Sequence, residues 1–208
     1  MVKDPLIRDH FRRHDPILFT LFDTVTLETL PARHPNEFFV SLCREIIGQQ
    51  LSGRVADVIY ERFIRLFPRR RASARAVLAV GDDALRETGM SWSKVRFIRD
   101  LATKAHAKEI DLSALTRLPD QEVIAYLTKI KGVGPWTAEM FLIFTLGRAD
   151  VFSYGDLGLR RAIQTLYKFR REPSRAQMEK IVRKWKPYRT YGARVLWGYL
   201  DAPPLPAK

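Results

Sequence analysis

The sequence predicts an all-α fold, on three observations. Apolar residues recur with helical spacing, alternating strand-like runs are scarce, and turn-forming residues divide the periodic segments at short intervals. Phe39, Leu42, Cys43, Ile46 and Ile47 form the stripe of a helix with one buried face. After a break at Gly48–Gly53, Val55, Ile59, Phe63 and Leu66 continue the pattern. Arg69–Arg71 then reads as a solvated basic loop between helices. Val95, Ile98, Leu101 and Ala102 mark another helix. Asp156 stands where an N-cap would open a helix over Leu157–Lys168. The run Ser174-Arg175-Ala176-Gln177 has the form of a capping box, and Pro187 ends the helix that follows near Trp185. Roughly ten helices joined by short turns account for the chain. The tail over residues 202–208, rich in proline, is expected to be loose.

The chain of 208 residues is 46% hydrophobic and 28% charged, the balance of a folded domain rather than a disordered one. No linker is long enough to divide it, so residues 1–208 read as a single domain. Lys and Arg number 36 against 23 Asp and Glu, a net charge of +13. Residues 160–194 hold twelve Lys/Arg and only Glu172 and Glu179, so this window carries +10 of that total. One concentrated basic region points to a nucleic acid as partner rather than a membrane surface. Cys43 is the single cysteine, which excludes a disulfide framework, a zinc ribbon and a cysteine-ligated iron–sulfur cluster. His10, His14, His34 and His106 lack metal-ligand spacing. The amino-terminal residues are too charged for a secretory signal, and the apolar stretch Met140–Leu146 is too short to span a bilayer. A soluble intracellular protein is expected.

The most informative segment is Leu127-Thr128-Lys129-Ile130-Lys131-Gly132-Val133-Gly134-Pro135-Trp136-Thr137. Two glycines allow a tight turn and Pro135 suits the first position of the next helix, which predicts a helix–hairpin–helix over about residues 121–147. Amides of such a hairpin, and the helix N-terminus behind it, form a positive concavity for a phosphate. Val133 is expected to point inward as an apolar pin. Twenty-two residues after Gly134 comes Asp156, in Ser153-Tyr154-Gly155-Asp156-Leu157.

Together these segments resemble the helix–hairpin–helix (HhH-GPD) DNA glycosylase superfamily, and within it the AlkA-type 3-methyladenine DNA glycosylases. Three further stretches carry the likeness: Ile46-Ile47-Gly48-Gln49-Gln50-Leu51-Ser52, Gly89-Met90-Ser91 through Lys94, and Trp185-Lys186-Pro187-Tyr188-Arg189-Thr190-Tyr191. The resemblance covers roughly residues 35–201. It implies two helical subdomains flanking an active-site cleft. Members with abasic-site lyase activity carry a Lys where this chain has Trp136, and Lys131 replaces the proline common before the first hairpin glycine. The chain also looks like the compact form, without the β-rich amino-terminal domain of longer relatives.

The resemblance implies a monofunctional enzyme that flips alkylated purines, such as 3-methyladenine or 7-methylguanine, out of duplex DNA and hydrolyses the glycosidic bond. Flipping requires something to hold the gap in the stack. Gln50 aligns with the wedge position and Leu51 adjoins it; either can fill the space. Trp136 and Tyr188 are expected to wall the base pocket, since electron-rich faces favour a cationic base. Trp92, Trp185 and Trp197 are left to packing. Asp156 is the expected catalytic carboxylate, stabilising an oxocarbenium-like sugar, a role compatible with helix capping. Asp150 is expected to cap or pair. Lys131, Gly132, Val133, Gly134 and Thr137 are expected at a DNA phosphate. The resemblance also implies Na⁺ or K⁺ on the carbonyls of Thr128, Ile130 and Val133, no other cofactor, and a monomer. Two other readings fit the sequence: a glycosylase for deaminated or oxidised bases, and a helix–hairpin–helix DNA-binding module without catalysis.

Overall fold

A computed structural model describes residues 2–27 and 32–201, and the expected loose tail at 202–208 lies outside the described residues. Among these, twelve α-helices account for most of the chain and no strand is present. They are α1 Pro5–His14, α2 Pro16–Phe19, α3 Phe38–Gly48, α4 Gly53–Arg65, α5 Ala74–Ala79 and α6 Asp82–Glu87. The remainder are α7 Trp92–His106, α8 Asp120–Leu127, α9 Pro135–Phe144, α10 Leu157–Leu166, α11 Arg175–Val182 and α12 Arg189–Asp201. No helix of the described residues is long and apolar enough to cross a membrane. The chain forms two compact units: an inserted unit, Pro31–Gly147, and a terminal unit, Met1–Leu30 with Arg148–Lys208.

In the inserted unit, α3 packs on α4, α7 and α9, and α5 lies along α7. The stripe read from sequence is the buried face of α3: Phe39, Leu42, Cys43, Ile46 and Ile47 all sit in the core. α9 buries Thr137, Ala138, Met140, Phe141, Leu142 and Ile143, covering several faces, as expected of a central helix. Its Phe141 meets Phe38 edge-on at 5.5 Å. The α4 pattern is only half right. Ile59 and Phe63 are buried, but Val55 and Leu66, near the two ends of the helix, are exposed.

The terminal unit is built on α1, α2 and α10–α12, with α10 against α12. Its core includes Phe11, Leu18, Phe22, Leu159, Ile163, Val182, Trp185 and Leu196. A buried carboxylate lies within it. Asp15 caps α2 through the Leu18 amide at 3.1 Å, and its other oxygen accepts from Tyr167 Oη at 2.5 Å and Trp185 Nε1 at 2.7 Å. A buried carboxylate needs such partners to offset its lost hydration. Trp185, expected only to pack, therefore also donates. The Ser174 capping box is present, but α11 ends at Val182 and a 3-10 turn carries the chain on to Trp185.

Candidate active site and nucleic-acid interface

The hairpin between α8 and α9 is closed by backbone bonds: Ile130 N–H donates to Leu127 O at 3.0 Å and Val133 N–H to Ile130 O at 3.1 Å. Gly132 takes φ 79°, a left-handed conformation that disfavours a side chain. Space forbids one as well, since a Cβ there would stand 2.1 Å from Phe97 Cδ2. Gly134 differs. Its backbone is ordinary, φ −91° and ψ 177°, and a Cβ would meet nothing in the protein. Its bareness instead keeps open the approach to the α9 N-terminus, where Pro135 occupies the first position as expected.

The residues expected at a phosphate divide into two groups. Val133 is buried with its amide turned to Ile130, and Thr137 is buried with Oγ1 accepting from Gln49 Nε2 at 3.0 Å. These two face the interior: the Val133 amide is taken up by Ile130, and the Thr137 hydroxyl oxygen by Gln49. Gly132 and Lys131 are exposed and Gly134 is half-exposed. Trp136, the second residue of α9, is 38% exposed, high for a tryptophan that only packs.

The turn between α3 and α4 holds the wedge candidates. Gln50 has φ 57° and is exposed, and Leu51, 36% exposed, returns its amide to Gly48 O at 3.2 Å. The residue before them was not singled out by sequence. Gln49 Nε2 donates to Gly132 O at 2.8 Å as well as to Thr137, bonding this turn to the hairpin and to the first turn of α9. The turn with the wedge candidates, the hairpin and the segment bearing Trp136 are thus brought together.

In the terminal unit, Asp156 is 9% exposed and caps α10, with Oδ1 accepting from Leu159 N–H at 2.8 Å. Trp197 Nε1 also donates to Oδ1, at 3.2 Å. A tryptophan assigned to packing by sequence is therefore a partner of the carboxylate; its spacing nine residues from Tyr188 gave no signal. Gly158 leaves room for this pair, as a Cβ there would approach Asp156 Oδ1 to 3.1 Å. The loop ahead of Asp156 is tied down by α12. Asp150 pairs, as expected, with Arg189: Nε to Oδ1 at 2.6 Å and Nη2 to Oδ2 at 3.0 Å. Burial opposes the Arg189 charge, but its bonds to Asp150 prevail and raise its pKa. The buried Thr190 hydroxyl donates to Arg148 O at 2.6 Å and accepts from Val151 N–H at 3.0 Å. Tyr188 is half-buried, edge-on to His10 at 5.3 Å and to Tyr191 at 6.2 Å. Trp92 is 47% exposed, so it does not pack into the core.

The family model for HhH-GPD superfamily base excision DNA repair proteins matches residues 43–187. The chain belongs to the HhH-GPD superfamily. Members named for 3-methyladenine are among the similar proteins. The putative DNA-3-methyladenine glycosylase YfjP of Bacillus subtilis is 29% identical over 162 residues, 75% of this chain and 56% of that one. A crystal structure of DNA-3-methyladenine glycosidase from Bacillus halodurans superposes with a TM-score of 0.77 at 34% identity, covering 94% of this chain and 88% of that one. The Schizosaccharomyces pombe 3-methyladenine DNA glycosylase Mag1, solved in complex with abasic DNA, gives 0.80 at 25% identity, covering 95% and 97%. The HhH-GPD match ends before α12, so Arg189, Thr190 and Trp197 lie beyond it.

Proposed function

We propose that the protein is a monofunctional DNA glycosylase of base excision repair, which extrudes alkylated purines from duplex DNA and hydrolyses their glycosidic bond, leaving an abasic site. The observation that carries this reading is Asp156, a nearly buried carboxylate fixed at a helix N-terminus by Leu159 and Trp197. Solved relatives named for 3-methyladenine support the substrate class. Alkylation at a ring nitrogen leaves the purine cationic and its bond to the sugar weak, so little protonation of the leaving base is needed. Trp136 and Tyr188 each carry an electron-rich face of the kind such a cation favours. Asp156 stabilises the positive charge that develops on the sugar, and orients water for attack.

Gln50 fills the vacated place in the stack, with Leu51 beside it. The outward hairpin residues Gly132, Gly134 and Lys131 receive a phosphate at the α9 N-terminus, while Val133 and Thr137 frame them from behind. The basic stretch 160–194 adds further phosphate contacts. The carbonyls of Thr128, Ile130 and Val133 are hard oxygen donors of the kind an alkali cation takes, and a Na⁺ or K⁺ there would add positive charge beside the phosphate. The enzyme works as a monomer in the compartment that holds the DNA, with no other cofactor.

Incubation with methylated duplex DNA, followed by identification of the freed bases, tests the reading. Free 3-methyladenine or 7-methylguanine is expected. Release of deaminated or oxidised bases alone would reassign the substrate, and tight binding without release would leave a binding module. Trp136 supplies no amine, so borohydride added during turnover should trap no covalent adduct. An adduct lost on changing Lys129 or Lys131 would overturn attack by water.

A further inference from the structure

Helix α7 carries Lys94, Phe97, Asp100 and Lys104 on one face, at helical spacings of three, three and four. At one end, Lys94 Nζ donates to Ile47 O at 2.7 Å and to Gln49 O at 2.9 Å. These carbonyls end α3, where no later amide of the helix can reach them and the helix dipole is negative; an ammonium answers both needs. Burial lowers the Lys94 pKa. Farther along, Asp100 Oδ2 accepts from the Lys131 amide at 2.8 Å and from Lys104 Nζ at 2.5 Å. Lys104 also donates to Lys129 O at 2.9 Å. Between the two grips, Phe97 lies against Gly132. Gln49 joins them, its carbonyl on Lys94 and its side chain on Gly132 and Thr137.

The bonds that α7 makes to the wedge turn and hairpin fall on main-chain atoms. None depends on the side chain of Gln50 or Leu51, so each leaves the wedge side chain available to DNA. The left-handed backbone at Gln50 persists only where its surroundings over-determine it. Lys94 and Gln49 supply that constraint immediately before it.

We propose that Lys94 and Gln49 are positioning residues that lock the wedge turn to the phosphate-binding hairpin, so that seating the hairpin on the DNA backbone sets how far Gln50 enters the base stack. The proposal rests on the wedge and hairpin roles argued above. Without the lock the hairpin would still hold undamaged duplex, but the wedge would enter at no fixed depth.

A double-mutant cycle between Gln49→Met and Gln50→Ala tests this, read as single-turnover base release, with duplex affinity and melting measured on each variant. Gln49→Met should slow release about tenfold, with affinity for undamaged duplex changed by less than about twofold and melting close to parental. In its background, Gln50→Ala should cost no more than about twofold, against about tenfold in the parent. Lys94→Met should show the same coupling. Should that variant fail to fold, Gln49→Glu, which keeps the shape but cannot donate to Gly132, carries the test. Strictly multiplicative effects of Gln49 and Gln50 would overturn the lock alone. Parental release by both Gln50→Ala and Leu51→Ala would overturn the wedge assignment, and the lock with it.

Discussion

Each unit holds the loop that bears its candidate site residues with one long helix, but the two helices grip different kinds of atom. In the inserted unit, α7 takes hold of main-chain groups: the carbonyls of Ile47, Gln49 and Lys129 through two lysines, and the Lys131 amide through Asp100. In the terminal unit, α12 reaches the carboxylate itself, through Trp197 to Asp156, and anchors the loop before it through Arg189 and Thr190. A grip on main chain sets where a turn sits and is indifferent to the side chain it displays. A grip on a carboxylate also sets the environment of a charge. Substitutions along α7 should therefore alter placement and flipping, whereas substitutions at the end of α12 should alter chemistry.

The largest effect should come from Asp156→Asn. Asparagine caps a helix nearly as well as aspartate, so melting should stay near the parental value. Single-turnover base release should fall by about 10²–10³, with binding to abasic-analogue duplex kept or tightened. Release at the parental rate would reduce Asp156 to a cap and dissolve the contrast between the units. Trp197→Phe sharpens it: the ring stays but the donor to Oδ1 is lost. A hydrogen bond to a charged group is worth about 1.5–3 kcal/mol, so release should slow by at least about tenfold with duplex affinity unchanged. A loss of affinity without a loss of rate would place Trp197 on the binding side.

The two hairpin glycines separate fold from function within the inserted unit. Gly132→Ala meets both a left-handed backbone and the Phe97 ring, so it should destabilise by about 2–3 kcal/mol in denaturant unfolding. Gly134→Ala meets open space and should leave stability within about 0.5 kcal/mol. It should instead weaken binding to every duplex sequence alike, measured as affinity against salt.

The smallest effect concerns Glu45, on the helix that leads into the wedge turn. Burial raises its pKa from 4.5 to about 7, against the pull of Arg44 and Arg33. The folded state therefore binds a proton that the unfolded state releases. The stability from this group is complete below pH 4.5 and is lost as pH rises through about 7. Glu45→Gln should raise the melting temperature by a few degrees at pH 8 and remove that part of its pH dependence. An unchanged pH profile would show the carboxylate to be solvated.

Much of the molecule was legible in the sequence, because the signals were local. Helical spacing located the buried face of α3, the capping box opened α11, and Gly132, Val133 and Pro135 made the hairpin, each through interactions spanning a few residues. Asp156 could be placed as an N-cap for the same reason. Chain ends of helices were less legible. Val55 and Leu66 keep the spacing of a buried stripe yet are exposed, since periodicity says which face an apolar residue is on but not whether a neighbour reaches it. Tertiary structure alone decided the partners. Gln49 meets Gly132 across 83 residues, Lys94 meets Ile47 across 47, and Trp197 meets Asp156 across 41. A side-chain hydrogen bond requires two groups within about 3 Å, and no spacing along the chain encodes which distant atoms the fold will bring that close.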